Sequence, residues 1–582
     1  MIDKSIDQIT LDIIQDSLAA AGEEMFLSVA RSSKSPVIYE VLDFASAIMD
    51  DKGNMLTQGN GVTAFIGMLS GMAKEVLKKY HAVGKMYPGD IFISNDPYSG
   101  GGSHLSDVGM VKPIFYENEL VAMAVAKAHW TEVGGKEKGS WSVDAKEIYQ
   151  EGVQFTNLKI CHAGVMDENL LEIIRANVRF PEQSLGDMWS QIAGLNTAEK
   201  RITEICRKFG TDTVKLAIGK LLRNSAEEVR QKLLSLPEGT YEGHEFVESD
   251  GLGTTNINID VKVTIKDGRF IVDFTGTHPQ VPGPINLPYS VLVSLCRFAL
   301  IAATNITGAI NDGMFECLEI VSESGSIVNA KRPASVGICW ETMLPALDAI
   351  IHALIGILPD KFVASNASTV GSFILACVHP ELGTDALNVA PTLLGLGAGR
   401  GYEGQNAQFC YCDGETFLIP CEVLESRYGF RVLEYGLNDG VDAGGGEWRG
   451  GLGIRRRYQM RSDGCYFTGA YGRSVLKPWG YAGGQDGSNS YYEVEYVDGT
   501  RTAPNGMAAR VRLDKGDVLK VTTGSGGGYG DPLRRSAEKV AMDVKNEYIT
   551  PEIAEKTFGV ICNADGEILG ISGARTALSA AE

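Results

Sequence analysis

Apolar positions in the first third of the chain repeat with a helical period at both ends and alternate or run continuously between. Residues 6–31 place Ile6, Ile9, Ile13, Ile14, Ala21, Met25 and Val29 at spacings that predict an amphipathic helix. Residues 61–80 predict a second one, with Phe65, Met68, Leu69, Met72, Val76 and Leu77 on one side. Between them VIYEVLDFASAIMDDKGN reads as strand, closed by a turn at Asp51-Lys52-Gly53. Short strands follow at 90–94 and 120–129, flanking a polar, glycine-rich loop, and residues 167–236 read as mainly helical.

After Pro237 the period changes to two. Ile257, Ile259, Val261, Val263 and Ile265 alternate with polar residues, and Phe270, Val272 and Phe274 resume the alternation after Asp267-Gly268. Two alternating runs joined by Asp-Gly predict a hairpin. Helical patterns return at 290–304 and 342–358, a strand- and glycine-rich stretch runs from 405 to 530, and 535–557 reads as helix. The sum is an α+β chain of several domains: an N-terminal domain over 1–236, a middle domain over 237–404 and a C-terminal domain over 405–582.

Composition narrows the classes. Of 582 residues 44% are hydrophobic and 22% charged, as in soluble globular proteins, which excludes disorder for most of the chain. The formal charge of −20 disfavours nucleic acid or an anionic membrane surface as the main partner. The apolar stretches at 291–303 and 343–358 are broken by Arg297 and by Asp348 and His352, so they predict buried helices and no membrane span. Eleven scattered cysteines without a C-x-x-C spacing, and an early-acidic N-terminus unlike a signal peptide, point to a cytoplasmic protein with reduced thiols.

Only two of the eight histidines stand in suggestive surroundings. His104 lies in SNDPYSGGGSHLSDVGMV, three residues before Asp107, and His129 ends the apolar strand VAMAVAKAH. Two imidazoles and a carboxylate from a loop and a strand end suit a divalent Zn, Mn or Fe with open positions, and Asp43 is placed to add an oxygen. The alternative is that His104 and Asp107 cap a turn and His129 is a core residue. No G-x-x-x-x-G-K-[ST] occurs, and the G-x-G-x-x-G at Gly399, Gly401 and Gly404 lacks the following helix. The glycine-rich segments 443–457, bearing Arg449 and Arg455 to Arg457, and 524–532 are readable as phosphate cradles or as tight turns. The absence of a G-x-S-x-G elbow argues against a serine hydrolase.

The run GDIFISNDPYSGGGSHLSDVGMVKPIFYENELVAMAVAKAHWTEVGG resembles the hydantoinase B / 5-oxoprolinase family, as do EVLDFASAIMDDKG, EIYQEGVQF, IRANVR, VDFTGTHPQVPGPINLPYS, EWRGGLGIRRRY and GSGGGYGDP. The resemblance extends from about residue 36 to residue 535. It implies one half of an ATP-dependent cyclic amidohydrolase acting on a lactam, hydantoin or 5-oxoproline ring. The partner it implies is a hydantoinase A-type subunit with an actin-like ATPase fold, which carries ATP and Mg and phosphorylates the substrate, in an (AB)2 assembly. It assigns the metal ligands to His104, Asp107 and His129, with Asp43 joining them, and leaves Glu132 and Asp96 as candidate bases for the attacking water. Two other readings stay open: a subunit of an acetone or acetophenone carboxylase, and an inert scaffold for the ATPase-like chain.

Overall fold

The computed structural model describes residues 6–414 and 416–576; the first five residues of the N-terminal stretch, and the last six of the chain, lie outside the described residues. The chain divides into two compact units, one of Met1–Glu242, Asp260–Leu347 and Tyr411–Leu418, the other of Gly243–Ile259, Asp348–Cys410 and Ile419–Glu582.

The first unit begins with α1 (Gln8–Ser32), capped by the Asp7 side chain, and a helical turn α2 (Pro36–Tyr39). Then come β1 (Phe44–Met49), β2 (Met55–Gln58), α3 (Ile66–Val76), β3 (Ile91–Ser94), β4 (Asp107–Tyr116), β5 (Glu119–His129), β6 (Leu158–His162) and β7 (Val165–Met166). Next are α4 (Glu168–Asn177), α5 (Pro181–Phe209), α6 (Thr211–Leu234) and β10 (Arg269–Asp273), while β8 (Gly239–Ser249) and β9 (Thr255–Lys266) have residues in both units. The series closes with α7 (Tyr289–Thr304), β11 (Leu318–Val321) and the first half of α8 (Trp340–Leu354), whose residues from Asp348 belong to the second unit.

Strands β1 to β7 form one antiparallel sheet in the order β2-β1-β5-β4-β3-β6-β7. Its centre is covered on both faces, since every residue from Leu120 to His129 is buried. Ala128 packs with Phe26 and Val29 of α1 on one face. On the other, Lys127 reaches Met68 and Phe65 beside α3. Helix α5 is tied to the sheet by Gln191, whose amide donates to the Val108 and Ala126 carbonyls and whose oxygen accepts from the Trp130 indole.

Three sequence expectations need correction. In α1 the buried stripe is Leu11, Ile14, Leu18, Ala21, Met25 and Val29, whereas Ile9 and Ile13 are exposed, because at 100° per residue they fall outside the arc that faces the sheet. The VIY segment forms the turn α2, with Pro36 at its first position, where proline's missing N–H costs nothing. The polar loop before 120 ends at Asp107, where β4 starts. Pro113 hid that strand, and it is tolerated because β3 pairs only as far as Val111, so no ladder bond is lost on that side. The Asp267-Gly268 hairpin forms as expected, with both residues at positive φ and Lys266 facing Arg269.

In the second unit β12 (Ser372–Val378) and β13 (Asp385–Ala390) precede α9 (Cys421–Tyr428), β14 (Phe430–Leu437), β15 (Ile454–Met460) and β16 (Cys465–Ala470). Strands β17 (Tyr491–Glu495), β18 (Met507–Leu513) and β19 (Val518–Thr522) complete two four-stranded sheets, β13-β12-β16-β18 and β14-β15-β19-β17. The segment 535–557 is two helices, α10 (Ala537–Lys545) and α11 (Pro551–Phe558), since Pro551 starts a new helix and cannot continue one; a small β20 (Val560–Cys562) and β21 (Ile568–Ile571) pair follows. Among the described residues no helix is long and apolar enough to cross a membrane. The architecture is α+β, with several sheets.

Candidate metal centre

Strand register builds the site. Asp107, the first residue of β4, is directly opposite His129, the last of β5, so their side chains share one face. The hairpin turns at Glu117 and Asn118, both at positive φ, and Tyr116 faces Glu119. A bulge between Ile114 and Phe115 then shifts the pairing by one residue. Without it Asp107 would face Ala128, whose side chain belongs to the α1 face. Strand β1 lies on the other side of β5, and the His129 amide donates to the Asp43 carbonyl at 3.0 Å. Asp43 follows Leu42, a non-glycine residue at φ 61°, in a tight turn where the Phe44 amide donates to the Leu42 carbonyl.

The loop after β3 delivers His104. Asn95, fully buried, donates from its amide to the Leu105 and Val153 carbonyls and accepts from the Phe155 amide. Gly102 passes so close to Asn95 that a Cβ would lie 2.3 Å from the Asn95 carbonyl oxygen. The outcome is that one ligand atom each from His104, Asp107 and His129 lies within 4.8 Å of the others, all three residues buried. His104 Nε2 and Asp107 Oδ1 are 3.4 Å apart, and the two imidazole centroids 5.0 Å. Ser103 Oγ donates to Asp107 Oδ2. Trp340 stands edge-on to His104 at 5.3 Å and Trp141 edge-on to Trp340 at 5.1 Å, a hydrophobic wall on one side of the imidazole.

The electrostatics favour a cation. Burial opposes ionisation of Asp107, but His104, through its charge and its hydrogen bond, and Lys127, joined by His129 only when that imidazole is protonated at low pH, outweigh it and hold its carboxyl well below the usual carboxylate range. Burial and the neighbouring His104 push His129 down to about 4, so its imidazole is neutral with a lone pair to offer near pH 7. Burial, Asp107 and Asp413 raise the Asp43 carboxyl well above its ordinary value. Lys127, fully buried, is lowered to about 8 by desolvation against the pull of Asp107, and its ammonium donates to the Gly101 carbonyl at 3.1 Å. That contact anchors the loop that carries His104.

The sequence matches the hydantoinase B/oxoprolinase family over residues 7–532. The chain belongs to that family. The caprolactamase subunit beta of Pseudomonas jessenii is 29% identical over 97% of this chain and 98% of its own length. The crystal structure of ATP-dependent caprolactamase from the same organism superposes with a TM-score of 0.91 at 28% identity, covering all of both chains. A nucleotide-free acetone carboxylase shares the fold, with a TM-score of 0.90 at 19% identity over 99% of this chain and 82% of its own.

The two candidate bases of this hydantoinase B chain are engaged by other groups. Glu132, fully buried, accepts from the Arg179 amide at Oε1 and from Arg179 Nη1 at Oε2, 2.8 Å away. Asp96 caps the turn Pro97–Ser99 through the Tyr98 amide and pairs with Arg332 at 3.0 Å. The glycine-rich segments of the second unit spend their amides on protein carbonyls: Gly451 on Leu396, Gly526 on Gly451, Gly527 on Ser365 and Gly528 on Gln485. Arg449 pairs with Asp543, Arg455 with Asp439 and Arg457 with Glu495, and Arg456 is buried over the Tyr435 ring. The segments are irregular backbone rather than tight turns, and Arg455 to Arg457 lie in β15.

Sequence reasoning missed Lys127, Trp340 and Glu151. A lysine inside an apolar strand two residues before His129 was a usable signal for the first. Glu151 lay unassigned within EIYQEGVQF.

Proposed function

We propose that this chain is the metal-bearing subunit of a two-component, ATP-dependent hydrolase that opens cyclic amides. The observation that carries the reading is the buried His104–Asp107–His129 set, in a family member similar along its whole length to a caprolactamase subunit. The donor chemistry fits a divalent ion: His104 Nδ1 and His129 Nδ1 are buried with no hydrogen-bond partner in the protein, Asp107 Oδ1 faces His104 Nε2 at 3.4 Å, and two imidazoles with carboxylate oxygen suit Zn, Mn or Fe. His104, Asp107 and His129 would hold the ion, with Asp43 the further oxygen. Such an ion, when bound, acidifies a water toward neutral pH and polarises a carbonyl.

The chain's own residues supply the rest. Asp107 remains ionised and His129 neutral at physiological pH, which is the protonation state a cation needs. Lys127 and Asn95 hold the His104 loop, and Trp340 and Trp141 limit water on one side of it. ATP and Mg belong on an A-type ATPase partner in this reading. The relative's designation as a subunit and the missing nucleotide motif both support that division.

The test is to purify the chain with its A-type partner, assay divalent metal, and follow ATP-dependent opening of caprolactam, hydantoins and 5-oxoproline. One metal ion per chain is expected, with activity lost on chelation and restored by metal, and no turnover by the isolated chain. Undiminished ring opening by a metal-free complex would remove the metal from the reading.

A further inference from the structure

Glu151 follows the turn Ile148–Gln150 and is 1% exposed. Its Oε1 is saturated: the Val336 and Gly337 amides donate to it at 2.8 and 2.9 Å, and Ser335 Oγ makes a third, short bond. Its Oε2 is buried and meets no donor in the protein. A buried polar group left so costs on the order of 1–3 kcal/mol. The Gly337 amide that holds Glu151 is three residues before Trp340, whose ring borders His104. The segment that holds Glu151 thus leads directly into the residue that borders His104, and His104 and Glu151 are within electrostatic reach of each other. Buried indole N–H groups of Trp141 and Trp340 in the same region are likewise unpartnered. The carboxylates of Glu132 and Asp96, by contrast, are occupied by Arg179 and Arg332.

We propose that Glu151 is the proton carrier of the ring-opening step. As the water oxygen bonds to the carbonyl carbon, one of its protons passes to Glu151 Oε2. As the ring C–N bond breaks, that proton moves on to the nitrogen and the carboxylate is regenerated; ATP enters before this step, as the partner's phosphoryl transfer to the carbonyl oxygen, and the phosphate leaves to a second water after it. This deepens the hydrolase reading and rests on it. Burial lifts the Glu151 carboxyl to about 7, against its three donors and the charge of His104, so both protonation forms are populated near neutral pH, as a proton carrier requires. The titratable groups in its electrostatic reach include His104, Tyr98 and Cys339.

The experiment uses the complex with the A-type partner and the substitution Glu151→Gln, which keeps the Oε1 acceptor for all three donors. Ring opening of caprolactam should fall about 10²–10⁴-fold, while metal content, thermal midpoint and ATP binding by the partner hold. The rise of the wild-type rate through about pH 7 should vanish, because the carboxylate form is the one that accepts the proton. Independently of activity, infrared difference titration of the wild-type chain should show a carboxyl band titrating near pH 7 that E151Q lacks. An active complex in which E151Q retains rate and pH profile overturns the role of Glu151 alone, as does a wild-type chain with no such band. A wild-type complex inactive on every cyclic amide overturns the hydrolase reading, and with it the reaction assigned here.

Discussion

His129→Ala should abolish metal binding and ring opening while leaving the chain folded and able to assemble. The imidazole ends β5, and the ladder bonds there, including the amide that donates to the Asp43 carbonyl, belong to the backbone and survive the change. The substitution also removes a buried nitrogen without a partner, which offsets part of the lost packing. Loss of an outer-shell partner of a metal ligand already costs about 10–100-fold, so loss of a ligand should exceed about 100-fold in activity. Metal analysis per chain, with size-exclusion chromatography of the complex, checks both halves. The same imidazole sets a pH dependence: its proton competes with metal only as pH falls toward about 4, so wild-type metal affinity should hold through neutral pH and decline below about 5. A variant that retains stoichiometric metal and full activity would exclude His129 from the centre.

Asn95→Ala should give a large stability loss as well as a loosened site. One side chain closes the His104 loop onto the segment after Glu151 through three hydrogen bonds, to Leu105, Val153 and Phe155, at 2.8, 2.9 and 2.6 Å. Alanine leaves two buried carbonyls and an amide unpaired, which at roughly 1 kcal/mol or more each predicts about 3–5 kcal/mol. Thermal unfolding should show a midpoint lowered by roughly 6–15 °C, and metal titration a weaker affinity. Asn95→Asp keeps the acceptor and loses both donors, so its loss should be intermediate. A midpoint unchanged in Asn95→Ala would mean the loop is held by other contacts.

Much of this was legible in the chain. The continuous apolar run ending in His129 is a central strand, buried on both faces, and the Asp267-Gly268 hairpin forms where the alternation predicts it. Residue type and position singled out His104, Asp107 and His129 because two imidazoles and a carboxylate near a strand end are uncommon among eight histidines. Glu132 was harder: a strand-end carboxylate looks the same in sequence whether it faces solvent or, as here, a distant Arg179. Glu151 was harder still, since its donors come from residues 335–337, almost two hundred positions away.

The sequence by itself determined the α+β class, the family and the candidate ligand set, because these follow from local periodicity, motif and residue type. Whether the ligands meet was decided only in three dimensions. The turn at Glu117 and Asn118 would align Asp107 with Ala128, and the one-residue bulge near Ile114 realigns it with His129. A slip of one residue carries a side chain to the opposite face of a strand, so the centre exists or not according to a bulge that no periodicity reveals. The same holds for the charges: burial and the meeting of Asp107, Lys127 and the two histidines keep one carboxylate ionised and one imidazole neutral, and neither condition can be read from residues taken one at a time.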